Sequence, residues 1–200
     1  MRPSKTVAPP AQMLIALIGV NIFMSFQSPA TVERFYFGLY GREHWPLALA
    51  AALAGVLAGS ADVKLTGTFI KGSLATRGVK VLGVLQRPYE RGPAIGIAVY
   101  AINSLGEEAI RAAVLLVLLR VFGWAPVAAV LATALAINAS RAVPWRARPA
   151  KLLDDVVLTI IVYCFGFVSA AAFHFLMNLY IVWPLMFGGA EREEGAGVGG

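Results

Sequence analysis

Residues Pro93–Phe122 read PAIGIAVYAINSLGEEAIRAAVLLVLLRVF, and this stretch decides the fold. Of its 30 positions 21 are Ala, Val, Leu, Ile or Gly, yet Glu107, Glu108 and Arg111 stand in its middle. The run exceeds the roughly 20 apolar residues that a bilayer-crossing helix needs. A helix here must therefore tilt, break or begin outside the hydrocarbon layer. Gly92, Pro93 and Gly96 mark its start, Gly123 and Pro126 its end, and Trp124 suits an interfacial anchor. An ionisable side chain at membrane depth is costly, so these three residues mark a candidate functional site.

The rest of the composition agrees. The chain has 200 residues, 58% hydrophobic and 14% charged, with a mean hydropathy of +0.72. Soluble domains carry about 25% charged residues, so this chain is too apolar to cover itself with polar surface. The formal net charge is +6. Its basic residues fall in short segments between apolar runs, where they act as orientation signals and headgroup contacts rather than as a nucleic-acid surface. The single cysteine, Cys164, lies in an apolar run and reads as a packing residue. The two histidines, His44 and His174, leave little for a metal site made of imidazole alone.

Outward from the opening stretch, the apolar runs are Ala11–Phe26, Trp45–Ala61, Pro93–Phe122, Ala125–Ala142 and Leu152–Phe187. The last is long enough for two spans with a tight turn near Gly166–Ala170. The first follows Arg2 and Lys5, and reads as an uncleaved span rather than a cleaved secretory signal, because no small-x-small cleavage site follows it. Gly55 and Gly59 in the second run have the spacing that lets helices approach closely. Lys64–Arg91 alternates Lys and Arg with Leu, Ile, Val and Phe, as an amphipathic segment at the headgroups does; a solvated loop is the competing reading. The sequence thus predicts an all-α polytopic membrane bundle over residues 1–187, with about six transmembrane helices, the 64–91 interfacial segment and a disordered tail at 188–200. The positive-inside rule places both termini, Lys64–Arg91 and the Arg141–Lys151 connector in the cytoplasm, which fits a multi-pass inner (plasma) membrane protein.

Polar groups inside apolar runs are Asn21, Asn103, Glu107, Glu108, Arg111, Asn138, His174 and Asn178. Arg120, Asp154 and Asp155 sit near helix ends, where they are expected to reach water. Asn103, Glu107 and Arg111 form a stripe at four-residue spacing, and His174 and Asn178 form another. The bilayer drives such groups inward and toward one another. Two readings follow: an ion-paired glue that pins helices together, or a shared site.

The order of these motifs resembles the CPBP family of intramembrane proteases, the CAAX-protease and bacteriocin-processing type, also called Abi proteins. Their pattern is EExxxR, then FxxxH, then HxxxN or HxxxD. The resemblance covers Gly106–Leu179 and is best at His174-Phe-Leu-Met-Asn178. It implies a Glu and His active site at membrane depth, opening to the cytoplasm and cleaving peptide bonds, with Glu107, Glu108, Arg111, Asn138, His174 and Asn178 at the motif positions. Three departures stand out. Two residues rather than three separate Glu108 from Arg111. Asn138 replaces the histidine of FxxxH, and an amide is a poor base and a poor metal ligand. The segment before His174 is also short of the Pro-containing turn usual there.

Within that resemblance, Glu107 or Glu108 would be the base, His174 would hold the water or polarise the carbonyl, and Asn178 and Asn138 would be donors. The departures point to a catalytically degenerate member that binds or scaffolds another membrane protein or complex. The alternative is an active endopeptidase cleaving a membrane-anchored peptide. No cofactor and no metal is expected on this reading, since zinc would have to be held by one His, a Glu and Asn.

Overall fold

The computed structural model describes residues 10–70, 93–140 and 148–187, which form helices and the short turns between them. Helix α1 spans Pro10–Ser25 and α2 spans Pro29–Phe37. A 3-10 turn at Arg42–His44 leads into α3, Trp45–Ile70. Helix α4 is Pro93–Arg120, α5 is Pro126–Ser140 and α6 is Arg148–Phe187. The all-α architecture is thus as the composition predicts. The expected tail at 188–200, the connector residues 141–147 and residues 71–91 of the basic segment lie outside the described residues. Lys64–Ile70 continues α3.

Starts and stops follow local chemistry. Proline opens α1, α2, α4 and α5, where its missing N–H costs nothing and its fixed φ suits the first turn. Sequence reading missed α2, although Ser28-Pro29 signals it: Ser28 Oγ accepts the N–H of Thr31 at the N-cap. Helix α4 ends where Gly123 takes φ 64° and the Trp124 N–H bonds the Leu118 carbonyl at 3.0 Å.

Helix α6 is broken at Gly166, whose φ 78° and ψ −179° are not helical. The break lies in the expected turn region, and it is built jointly with the end of α2. The Leu39 N–H bonds the Tyr163 carbonyl at 2.8 Å, and the Tyr40 N–H bonds the Cys164 carbonyl at 3.0 Å. A continuous helix would give those carbonyls to residues 167 and 168. Gly38, with φ 72° and ψ −157°, faces Gly166 backbone to backbone, and a Cβ on either would enter the other's main chain.

Helix α6 is the hub against which α2, α3, α4 and α5 pack, while α1 lies on α4. The close approach expected at Gly55 and Gly59 occurs. A methyl at Gly55 would run into the Phe173 carbonyl, and one at Gly59 would lie 2.8 Å from the Met177 carbonyl. Gly106 gives the same access to Met13 of α1. Phe35, Met24, Leu115, Leu158, Phe167 and Met177 fill the core between these helices.

Outward faces are strongly apolar, with Ile15, Phe26, Leu57 and Val127 among the exposed side chains. Among the described residues one stretch, Lys151–Tyr180, is long and apolar enough to cross a membrane. Ala11–Ser25 and Pro126–Ser140 are apolar but shorter, and α4 is interrupted by its own charges.

Candidate functional site

The site begins with the periodicity of α4. Ser104, Glu108 and Arg111 follow one another at spacings of four and three, so they share the face that meets α6. All three are fully buried. Asn103 and Glu107 stand beside them at the same four-residue spacing.

Arg111 is held on three sides. Its Nε donates to Glu108 Oε2 at 2.7 Å, and its Nη2 donates to Asp155 Oδ1 at 2.9 Å. Its Nη1 donates to the Asp155 carbonyl and to Thr159 Oγ1, both at 3.1 Å. Glu108 and Arg111 pair across three residues, and Glu107 faces His174. Asp155 is itself approached by Asn138 Nδ2 at 3.3 Å, and the same amide donates to the Arg148 carbonyl.

His174 stands between two carboxylates. Its Nδ1 lies 2.8 Å from Glu108 Oε1, and its Nε2 lies 4.0 Å from Glu107 Oε2. Arg111 also occupies Glu108, so Glu108 acts as acceptor and the His174 Nδ1–H donates. In the neutral ring, that tautomer leaves Nε2 bare on the Glu107 side. Asn178, one turn beyond His174, donates weakly to Ser104 Oγ at 3.4 Å. The result is one chain of contacts, Asn138–Asp155–Arg111–Glu108–His174–Glu107, drawn from α4, α5 and both arms of α6. The break at Gly166 makes this convergence achievable. Thr159 and His174 are 15 residues apart, roughly 22 Å along an unbroken helix, yet they reach Arg111 and Glu108, which are neighbours.

Burial grades along the chain. The Arg111, Glu108 and Asp155 side chains are wholly enclosed, His174 is nearly so, and the Glu107 side chain keeps 30% exposure. Glu107 is therefore the least enclosed carboxylate of this chain of contacts, although its Oε2 on the His174 side is itself buried.

Of the expected residues, Glu107, Glu108, Arg111 and His174 come together directly. Asn178 lies one turn away, and Asn138 joins only through Asp155. Asn138 does not meet His174 or the glutamates, so its expected role as a donor at the reacting centre has no contact to support it. Asn21 stands apart: it bonds the Leu17 carbonyl and accepts the Tyr36 hydroxyl, tying α1 to α2. Asp155 corrects an expectation. It was read as reaching water from a helix end, but it is fully buried, because Arg111 draws it inward. Arg120 is exposed as expected, and Asp154 pairs with Lys151 at 2.9 Å in a partly buried position. Asp155, Thr159 and Ser104 were missed as site residues. The four-residue spacing of Asp155 and Thr159 was the available signal.

The Glu107 and Glu108 oxygens and a His174 ring nitrogen lie within 4.8 Å of one another, a donor set able to approach a cation. No family model, no curated protein and no solved structure matches this chain.

Proposed function

We propose that the chain is an intramembrane endopeptidase of CPBP type that cleaves a membrane-anchored peptide through Glu107 and His174. The observation that carries this reading is the His174 ring, tied to Glu108 at Nδ1 and turned at Nε2 toward Glu107, the least enclosed carboxylate of the site. A water at about 2.8 Å from both Nε2 and Oε2 fits the 4.0 Å gap. Both atoms accept, so the water donates to each and keeps a lone pair for the scissile carbonyl. Glu107 or His174 takes its proton as it attacks and returns it to the leaving amine. Glu108, Arg111, Asp155 and Asn138 hold the ring in place. The Asn178 amide, one turn from His174, is the side chain assigned to the oxyanion.

A membrane seat is supported by the apolar outer faces and by the broken hub helix. Counting its two arms separately, α1, α3, α4 and α5 with α6 make the six spans of a multi-pass protein with both termini in the cytoplasm.

One observation favours the scaffolding reading. Asn138 is taken up by Asp155 and the Arg148 carbonyl, so the site has a single imidazole and its buried charges satisfy one another.

Peptide N-termini in membranes from cells carrying the wild-type chain, Glu107→Gln or His174→Ala distinguish the two. The endopeptidase reading expects termini present with wild type and absent with both variants. Identical termini in all three remove hydrolysis as the role. Stoichiometric copurification with another membrane complex would then assign scaffolding.

A further inference from the structure

We propose that the cleft between α2, α4 and the first arm of α6 binds one anionic phospholipid, with its phosphate at Arg34 and an acyl chain lying along α4. This rests on the membrane seat and is independent of the peptide chemistry at Glu107 and His174.

Three observations point to it. First, the cleft is apolar and slender. Ala112, Leu115, Leu116 and Leu119 line it from α4. Spacings of three, four and seven put these side chains on one face, in a strip about 10 Å long. Ala112 and Leu115 are buried and form its floor, while Leu116 and Leu119 stay partly open beside it. Counted out to its mouth, the space is about 240 Å³, below the roughly 300–1,000 Å³ of sites that enclose a small molecule. It therefore suits one hydrocarbon chain laid lengthwise, with the rest of the molecule left in the bilayer.

Second, a cation without a carboxylate stands on the cleft. Arg34 of α2 lines it and is partly buried. Its guanidinium lies 5.9 Å from the centre of the Tyr163 ring, which fixes its position by cation–π attraction. That contact leaves the N–H fork unused, and the Arg34 side chain has no ion pair or hydrogen bond among the described residues. The adjacent carboxylate, Glu33, faces Arg42 at 3.7 Å instead. A guanidinium at the membrane boundary demands an acceptor, and a phosphate matches its fork with two parallel hydrogen bonds.

Third, the depth is that of a headgroup. Leu119 is one residue from the end of α4, and Trp124 folds back on that end through its N–H to the Leu118 carbonyl. The Trp124 side chain is exposed, as an interfacial anchor is. Arg34 thus stands at headgroup level, and the strip of α4 descends from it toward Ala112 and the bilayer interior. Exposed Arg120 adds a second positive charge at that end, which favours an anionic headgroup over a zwitterionic one.

The test uses the full chain in detergent micelles, stripped of lipid and mixed with phosphatidylglycerol or phosphatidylcholine of the same acyl chains. Native mass spectrometry reads the lipid retained. One phosphatidylglycerol is expected, held about tenfold or more tightly than phosphatidylcholine. Arg34→Gln should abolish that preference, and Leu116→Trp, which fills the cleft, should weaken phosphatidylglycerol retention by a similar factor. Arg42→Gln, which removes the cation already paired with Glu33, should leave retention within about twofold. Circular dichroism checks that each variant keeps its helices. Equal retention of the two lipids by the wild-type chain overturns the proposal, whatever the variants do. So does a preference that survives Arg34→Gln in a folded chain. Displacement by excess inorganic phosphate, with retention indifferent to Leu116→Trp, assigns Arg34 to a free anion and overturns the lipid as well. Alkaline carbonate extraction of membranes reads the seat separately. A chain that resists extraction but shows no lipid preference keeps the seat and loses the lipid site. A chain that carbonate releases loses the seat, and the lipid site with it.

Discussion

Asp155 holds Arg111 in an ion pair that links α6 to α4, Oδ1 to Nη2 at 2.9 Å, with both side chains fully buried. Removing one partner of such a pair leaves an uncompensated charge, which costs about 3–5 kcal/mol. Asp155→Ala should therefore lower stability by about that amount in denaturant unfolding of the micelle-bound chain. Lys151→Ala breaks the more exposed Lys151–Asp154 pair, and should cost less than about 1 kcal/mol. Similar losses for the two would mean that Arg111 finds another partner.

The adjacent glutamates should separate in kind. Glu108→Gln removes the charge facing Arg111 and the acceptor of His174, so it should lose about 3 kcal/mol of stability. Glu107→Gln touches a less enclosed group, 30% exposed, and should cost less than about 1 kcal/mol while abolishing peptide cleavage. Thermal unfolding alongside a cleavage assay reads both. The reverse pattern would exchange the roles assigned to them.

Backbone conformation at the hub makes a third prediction. Gly38 and Gly166 occupy a region of φ and ψ open essentially to glycine, and each meets the other's main chain. Gly166→Ala should cost at least about 2 kcal/mol. Gly123 also has positive φ, but an added Cβ there has nothing within 4 Å, so Gly123→Ala should cost only about 1 kcal/mol. Equal costs would show that the α2 contact adds nothing to the break in α6.

Asn138 has a structural role on this account. Asn138→Ala should lower stability by about 1–3 kcal/mol, because Asp155 and the Arg148 carbonyl each lose a donor. It should leave His174 Nδ1 tied to Glu108, because the amide touches Asp155 and not the ring. A changed ring tautomer by ¹⁵N-histidine spectroscopy in a folded Asn138→Ala chain would place the amide at the reacting centre instead.

Much of the site was readable in the sequence because helical periodicity fixes faces. Glu107, Glu108 and Arg111 had to lie together on α4, His174 and Asn178 had to share a face of α6, and apolar neighbours on every other face left such groups an inward site. The partners across helices were harder. Asp155 looked like a residue near a helix end with access to water, and only the path of α6 relative to Arg111 shows otherwise. Position 138 fell where the motif wants a histidine, so the amide drew attention to chemistry. Its observed role is a hydrogen bond to a carboxylate that sequence reasoning had set aside. Helix α2 was missed because the long apolar runs dominate the pattern, although Ser28-Pro29 carries a capping signal and Gly38 a stop. The turn near Gly166 was legible from the length of the last run. That Leu39 and Tyr40 cap its freed carbonyls was not, since backbone pairing between distant segments leaves no mark on residue type.

The most direct test of the convergent site needs no substrate. His174 is one of two histidines, and His44 is the other, so a His44→Gln chain labelled with ¹⁵N-histidine reports on a single ring. In lipid vesicles, the neutral ring should carry its proton on Nδ1 with Nε2 bare, and Glu108→Gln should move both nitrogen resonances. A ring dividing its time between the two tautomers, and indifferent to Glu108→Gln, would contradict the account.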